Sequence, residues 1–91
     1  MRNKKDRVQV FEDLKKIIYV TFNIETDIVT MDTPIYGEGI SLDSVQMVEL
    51  AVEIEKFYEV EFDDEMLNEE NYQNFRVLVD VIMKLISRDD R

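Results

Sequence analysis

The sequence predicts an all-α domain: an antiparallel bundle of three main helices plus one short helix, with a long structured loop between helices 1 and 2. Three observations carry this. Apolar residues recur at helical spacing in three separated segments. The single Pro and both Gly lie together between the first two segments. The second and third segments each open at a residue with a good capping side chain, Asp43 and Asn74.

The first segment covers 8–22. Phe11, Leu14, Ile17, Ile18 and Phe22 keep one face, with Glu12, Asp13, Lys15 and Lys16 between them. An irregular stretch of 19 residues, 24–42, follows and holds Pro34, Gly37 and Gly39. Loops of this length inside a small domain are commonly functional or disordered. Here Ile28, Val29, Met31, Ile35, Tyr36, Ile40 and Leu42 offer anchors to a core, so an ordered loop is expected.

The second helix is expected to start at Asp43, with Gln46 three residues on at the spacing of a capping box, and to run to Tyr58. Met47, Leu50, Ala51, Ile54 and Tyr58 form its core stripe. Val45, Val48 and Val52 form a second apolar stripe, flanked by Glu49, Glu53 and Glu55. A small bundle needs one such stripe, so the other is open to a partner. Val60 and Phe62 then alternate with acids and are expected to point inward, and Asp63 opens a short turn. The stretch 68–73 is polar and reads as irregular. Asn74 caps the last helix, whose core positions are Phe75, Leu78, Val79, Ile82 and Ile86. A single monomeric domain is expected over 1–91, with 1–7 and 88–91 flexible.

Composition removes several function classes. There is no Cys and no His, so thiol chemistry, disulfides and the commonest general base are absent. Lys and Arg number 11 against 21 Asp and Glu, a formal net charge of −10. Nucleic acid and anionic membranes are disfavoured as partners, and proteins with basic docking faces are favoured. Between Asn23 and Phe75 stand 15 acids and one base, Lys56. No metal site is expected: read as a calcium loop from Asp63, the chain has Asn68 where Gly is needed and Asn74 where the bidentate Glu belongs. The start is charged without an apolar run behind it, and no stretch is long enough to span a bilayer, so a cytoplasmic protein is expected.

The chemistry centres on Gly37-Glu38-Gly39-Ile40-Ser41-Leu42-Asp43-Ser44-Val45. A glycine turn delivers Ser44 to the first turn of a helix, where unpaired N–H groups and the positive dipole end favour a phosphodiester. A serine nucleophile needs a base. Without His, and with Lys56 alone nearby in sequence, Ser44 reads as a residue that another enzyme modifies.

Leu42-Asp43-Ser44-Val45, followed by Val48, Glu49 and Leu50, resembles the Asp-Ser-Leu motif of the acyl carrier and peptidyl carrier family, in its discrete type II form. The resemblance extends over about 8–86, although Val45 replaces the usual Leu, Asp63 stands where many members have Pro, and 68–74 is slightly longer. It implies a carrier and not an enzyme. Ser44 would hold 4′-phosphopantetheine, attached by a phosphopantetheinyl transferase from coenzyme A with Mg²⁺, and Asp43 would be the motif acid. The arm would shuttle thioester-linked acyl intermediates between enzymes of fatty-acid, polyketide or related specialised biosynthesis. Val45, Val48, Glu49, Val52, Glu53 and Glu55 would meet partners: acyl-transfer, ketosynthase or ligase-type enzymes. The rival readings are an aminoacyl or peptidyl carrier and an unmodified adaptor of the same fold.

Overall fold

A computed structural model describes residues 6–89 and shows an all-α chain. Its three helices are α1 (Arg7–Phe22), α2 (Ser44–Tyr58) and α3 (Phe75–Asp89). In place of one short helix there are two 3-10 turns, Asp64–Met66 and Glu69–Tyr72. Among the described residues there is no strand, only an isolated bridge between Tyr36 and Leu42.

Each helix end has a local cause. The Asp6 carboxylate accepts from the Gln9 N–H at 2.8 Å and starts α1. Asn23, left-handed at φ 59°, ends it, with its N–H returned to the Tyr19 carbonyl. At α2 the capping box is complete: Asp43 accepts from the Gln46 N–H at 2.8 Å, and the Gln46 side chain accepts from the Asp43 N–H at 3.0 Å. Glu59 at φ 58° ends α2, and the Val60 N–H reaches back to the Glu55 carbonyl at 3.2 Å, a Schellman closure that turns Val60 into the core. The Asn74 side chain accepts from the Val77 N–H at 2.9 Å and starts α3.

α1 packs against both α2 and α3. The core joins Val10, Leu14 and Ile18 of α1, Leu50 and Ile54 of α2, and Phe75, Leu78, Val79 and Ile82 of α3, all fully enclosed. Phe11 meets Phe75 edge to face at 5.7 Å between ring centres. Arg7 heads α1 and pairs with Asp80. Arg88 is still helical, because α3 continues to Asp89, and it lies 3.7 Å from the Asp63 carboxylate. The rest of the flexible ends expected from sequence, 1–5 and 90–91, lies outside the described residues.

Asp13, expected on the polar face of α1, is buried. It stands three residues after Val10 and four before Ile17, which is the core stripe itself. The Tyr58 hydroxyl donates to its Oδ2 at 2.8 Å and Gln9 Nε2 to its Oδ1 at 2.9 Å, so the carboxylate is bonded where it is enclosed. Tyr58→Phe is therefore expected to lower stability by about 2 kcal/mol in chemical denaturation, the cost of withdrawing a donor from a buried anion.

Burial raises the pKa of Tyr58, with the Asp13 hydrogen bond and charge adding to it, and burial likewise raises that of Tyr72, helped by Glu55. In the unfolded chain both phenols ionise near their ordinary value of 10.0, so above that pH the unfolded state loses protons that the fold retains. Their stabilisation is complete below this value and is lost as pH rises towards the folded pKa. Unfolding free energy is expected to fall by about 1.4 kcal/mol per pH unit for each tyrosine above about pH 10, and each Phe replacement to remove its share of the slope.

Candidate functional site

The loop joining α1 to α2 is built to hold one end of α2. Val29, Ile35 and Leu42 are buried, and Met31, Tyr36 and Ile40 pack partly against the core. Ile28 is a correction: it is 91% exposed. The Val29 N–H bonds the Thr26 carbonyl, which closes a turn with Ile28 at its tip, and tip residues of a reversal face outward.

From Pro34 the backbone closes on itself. The Ile40 N–H donates to the Pro34 carbonyl at 3.2 Å, Leu42 to Ile35 at 2.8 Å, Gly37 to Leu42 at 3.3 Å and Ser41 to Glu38 at 2.9 Å. Gly37 and Gly39 adopt positive φ, and so does Ser41 at φ 60°. At Gly39 glycine is required twice over, since a Cβ would stand 2.2 Å from the Pro34 carbonyl oxygen. The segment is then tied to α3. The Phe75 N–H donates to the Thr33 carbonyl at 3.2 Å and the Arg76 N–H to Met31 at 2.8 Å, and Arg76 Nη2 lies 2.8 Å from Asp32 Oδ1. The Tyr36 phenol has a raised pKa, chiefly from the adjacent Glu69 carboxylate, with a smaller contribution from Asp43.

This loop delivers Asp43 as the N-cap and Ser44 as the first residue of α2, and both are exposed. Asp43 takes the Gln46 N–H, so the cap does not draw on the Ser44 hydroxyl. By helix geometry the Ser44 and Val45 N–H groups have no acceptor within α2.

Behind Ser44 the predicted core stripe, Met47, Leu50, Ala51, Ile54 and Tyr58, is buried. Val45, Val48 and Val52 are 67%, 49% and 41% exposed. Glu49 is exposed beside them, and Glu53 is half-buried with Lys56 Nζ 3.2 Å from its Oε2. Glu55 also bonds within the fold. It is half-buried, and its carboxylate accepts from the Phe62 N–H at 2.7 Å. It ties down the chain leaving α2 where Val60 and the half-buried Phe62 turn inward.

The stretch 68–73, expected to be irregular, contains the second 3-10 turn, with Asn68 accepting from the Asn71 N–H at 3.1 Å. Its Tyr72 is fully buried and donates to the Met47 carbonyl at 3.1 Å. Periodicity misses Tyr72 because it sits outside any helix, yet a lone aromatic among acids and amides just ahead of a capped helix was a usable signal. The sequence places Asp63 at the opening of the first turn. Its backbone carbonyl opens that turn, accepting from the Met66 N–H at 2.9 Å. Among the described residues no three acidic side chains converge as a metal ion would need.

Residues 12–82 match the family model described as the phosphopantetheine attachment site. The acyl carrier protein of Coprothermobacter proteolyticus is 31% identical over 77 residues, covering 85% of this chain and 90% of that protein. The chain belongs to the acyl carrier protein family. The acyl carrier protein of Aster yellows witches'-broom phytoplasma is 32% identical over 80% of this chain and 88% of its own, and that of Campylobacter lari 33% identical over 60% and 70%. As an acyl carrier protein with a phosphopantetheine attachment site, the chain is a carrier and not a catalyst. Its family implies a phosphopantetheinyl transferase and biosynthetic enzymes as partners. None of its described helices is long and apolar enough to cross a membrane.

Proposed function

We propose that Ser44 is the residue that carries phosphopantetheine and that the exposed face of α2 behind it is what partner enzymes grip. The observation that carries this is the division of labour at the start of α2. Asp43 closes the helix end, which leaves an exposed serine hydroxyl at the first helical position, beside two N–H groups without helical acceptors. A phosphodiester suits that place, because both the N–H groups and the helix dipole favour its negative charge. When bound, the group supplies a terminal thiol on which acyl chains ride as thioesters.

Partner docking would fall on Val45, Val48 and Val52 as the apolar strip, with Glu49 and Glu53 beside it for the Arg and Lys of a basic face. Glu55 is left out of this set because of its bond to Phe62. The clients would be acyl-transfer, ketosynthase or ligase-type enzymes of fatty-acid, polyketide or related biosynthesis, acting in the cytoplasm.

The test is to supply coenzyme A, Mg²⁺ and a broad-specificity transferase, then to read intact mass and map the modified peptide. One added phosphopantetheine on Ser44 is expected. A label on another residue would reject the assignment. A chain that stays unmodified when purified from its native host would favour the adaptor reading, and an aminoacyl group on the arm would favour the aminoacyl carrier.

A further inference from the structure

We propose that Tyr72 is a positioning residue for Ser44, holding the loop on one side of the serine and the first turn of α2 on the other. The inference rests on the reading of Ser44 above and names a residue that this reading does not use.

Tyr72 makes two bonds that point in these two directions. Its hydroxyl donates to the carbonyl of Met47, three residues after Ser44, at 3.1 Å. Its own carbonyl accepts from the Tyr36 N–H at 3.2 Å, and Tyr36 bridges to Leu42, two residues before Ser44. The ring between them is fully enclosed, so water does not compete for either bond. The same strand of chain continues into the Phe75 and Arg76 N–H groups that hold Thr33 and Met31, so the residue sits on a rigid base. A serine at a helix start can otherwise move with a fraying first turn. Tyr72 opposes that fraying from outside the helix.

Tyr58 supplies the control. It too is a buried tyrosine bonded through its hydroxyl, but it lies at the far end of α2, 14 residues on, or about 20 Å along the axis. Tyr58→Phe and Tyr72→Phe each remove one buried hydroxyl, and only the second touches the surroundings of Ser44.

Two readouts test the proposal at a temperature where both variants are folded. Amide hydrogen exchange is expected to speed up in Tyr72→Phe at residues 46–48, the turn that the lost hydroxyl holds, and to stay at the wild-type rate there in Tyr58→Phe. In transferase kinetics with coenzyme A, Tyr72→Phe is expected to raise the KM for the carrier about fivefold with kcat unchanged. The turn that binds is then populated only part of the time, while its chemistry once docked is the same. Unchanged exchange around Ser44 in Tyr72→Phe would overturn the proposal, and so would an equal rise in KM for Tyr58→Phe. Should the wild-type chain take no group at Ser44, the Ser44 reading fails by itself, and the exchange comparison still decides whether Tyr72 holds the first turn of α2.

Discussion

Ser44→Ala is expected to abolish phosphopantetheine loading while leaving the fold as stable as the parent. Both halves follow from the same geometry. The Ser44 side chain is exposed, and the helix start is held by the reciprocal bonds of Asp43 and Gln46, which the change does not touch. Alanine is the best helix former, so the cost in denaturation is expected to lie within about 0.5 kcal/mol. Loading, by contrast, needs the oxygen itself, and the chain offers no Cys in its place. Ser41 is the natural control. It lies three residues earlier, also exposed, with its hydroxyl 3.3 Å from the Gly37 carbonyl. Ser41→Ala should still load. Intact mass after transferase treatment separates the three chains, and a loaded Ser44→Ala chain would refute the assignment.

Gly39→Ala is expected to be the most damaging single-methyl addition in the loop. Its φ of 64° already penalises any side chain, and the new carbon would meet the Pro34 carbonyl oxygen at 2.2 Å, a backbone atom that cannot rotate away. The Pro34 carbonyl also accepts from the Ile40 N–H, so relief of the clash breaks that bond. A loss of at least about 2 kcal/mol is expected, with a fall in melting temperature of roughly 10 °C. Gly37→Ala gives the contrast. Its φ is 78°, but nothing lies within 4 Å of the added carbon, so only the backbone penalty of about 1 kcal/mol remains. Equal losses in the two variants would show that close approach to Pro34 does not matter.

What could be read from the sequence was what depends on near neighbours. The Asp43–Gln46 box, the Asn74 cap and the two stripes of α2 are set by residues three and four apart, and each stands as expected. The exposed place of Ser44 followed from the same local pattern. What escaped depends on partners distant in the chain. Asp13 meets Tyr58 across 45 residues, and Tyr72 meets Met47 across 25. Nothing in the neighbourhood of Asp13 or Tyr72 announces those partners, although the spacing of Asp13 on its own helix placed it on the buried side. The Glu55 bond escaped for another reason: on a helical wheel Glu55 looks like a surface acid, and only the reversal of the chain after Tyr58 brings the Phe62 N–H to it. Ile28 shows that hydrophobicity without a period does not say which way a loop residue faces.

The outward turn around Ile28 has a practical use. Its neighbours on either side, Asp27 and Val29, are respectively exposed and anchored, and the next turn of the loop begins at Thr30, whose carbonyl accepts from the Thr33 N–H at 3.1 Å. A reporter peptide spliced in between Asp27 and Ile28 would ride on solvent-facing backbone, where insertions are best tolerated. It would offer a tether for immobilising or imaging the carrier at a turn 16 residues ahead of Ser44.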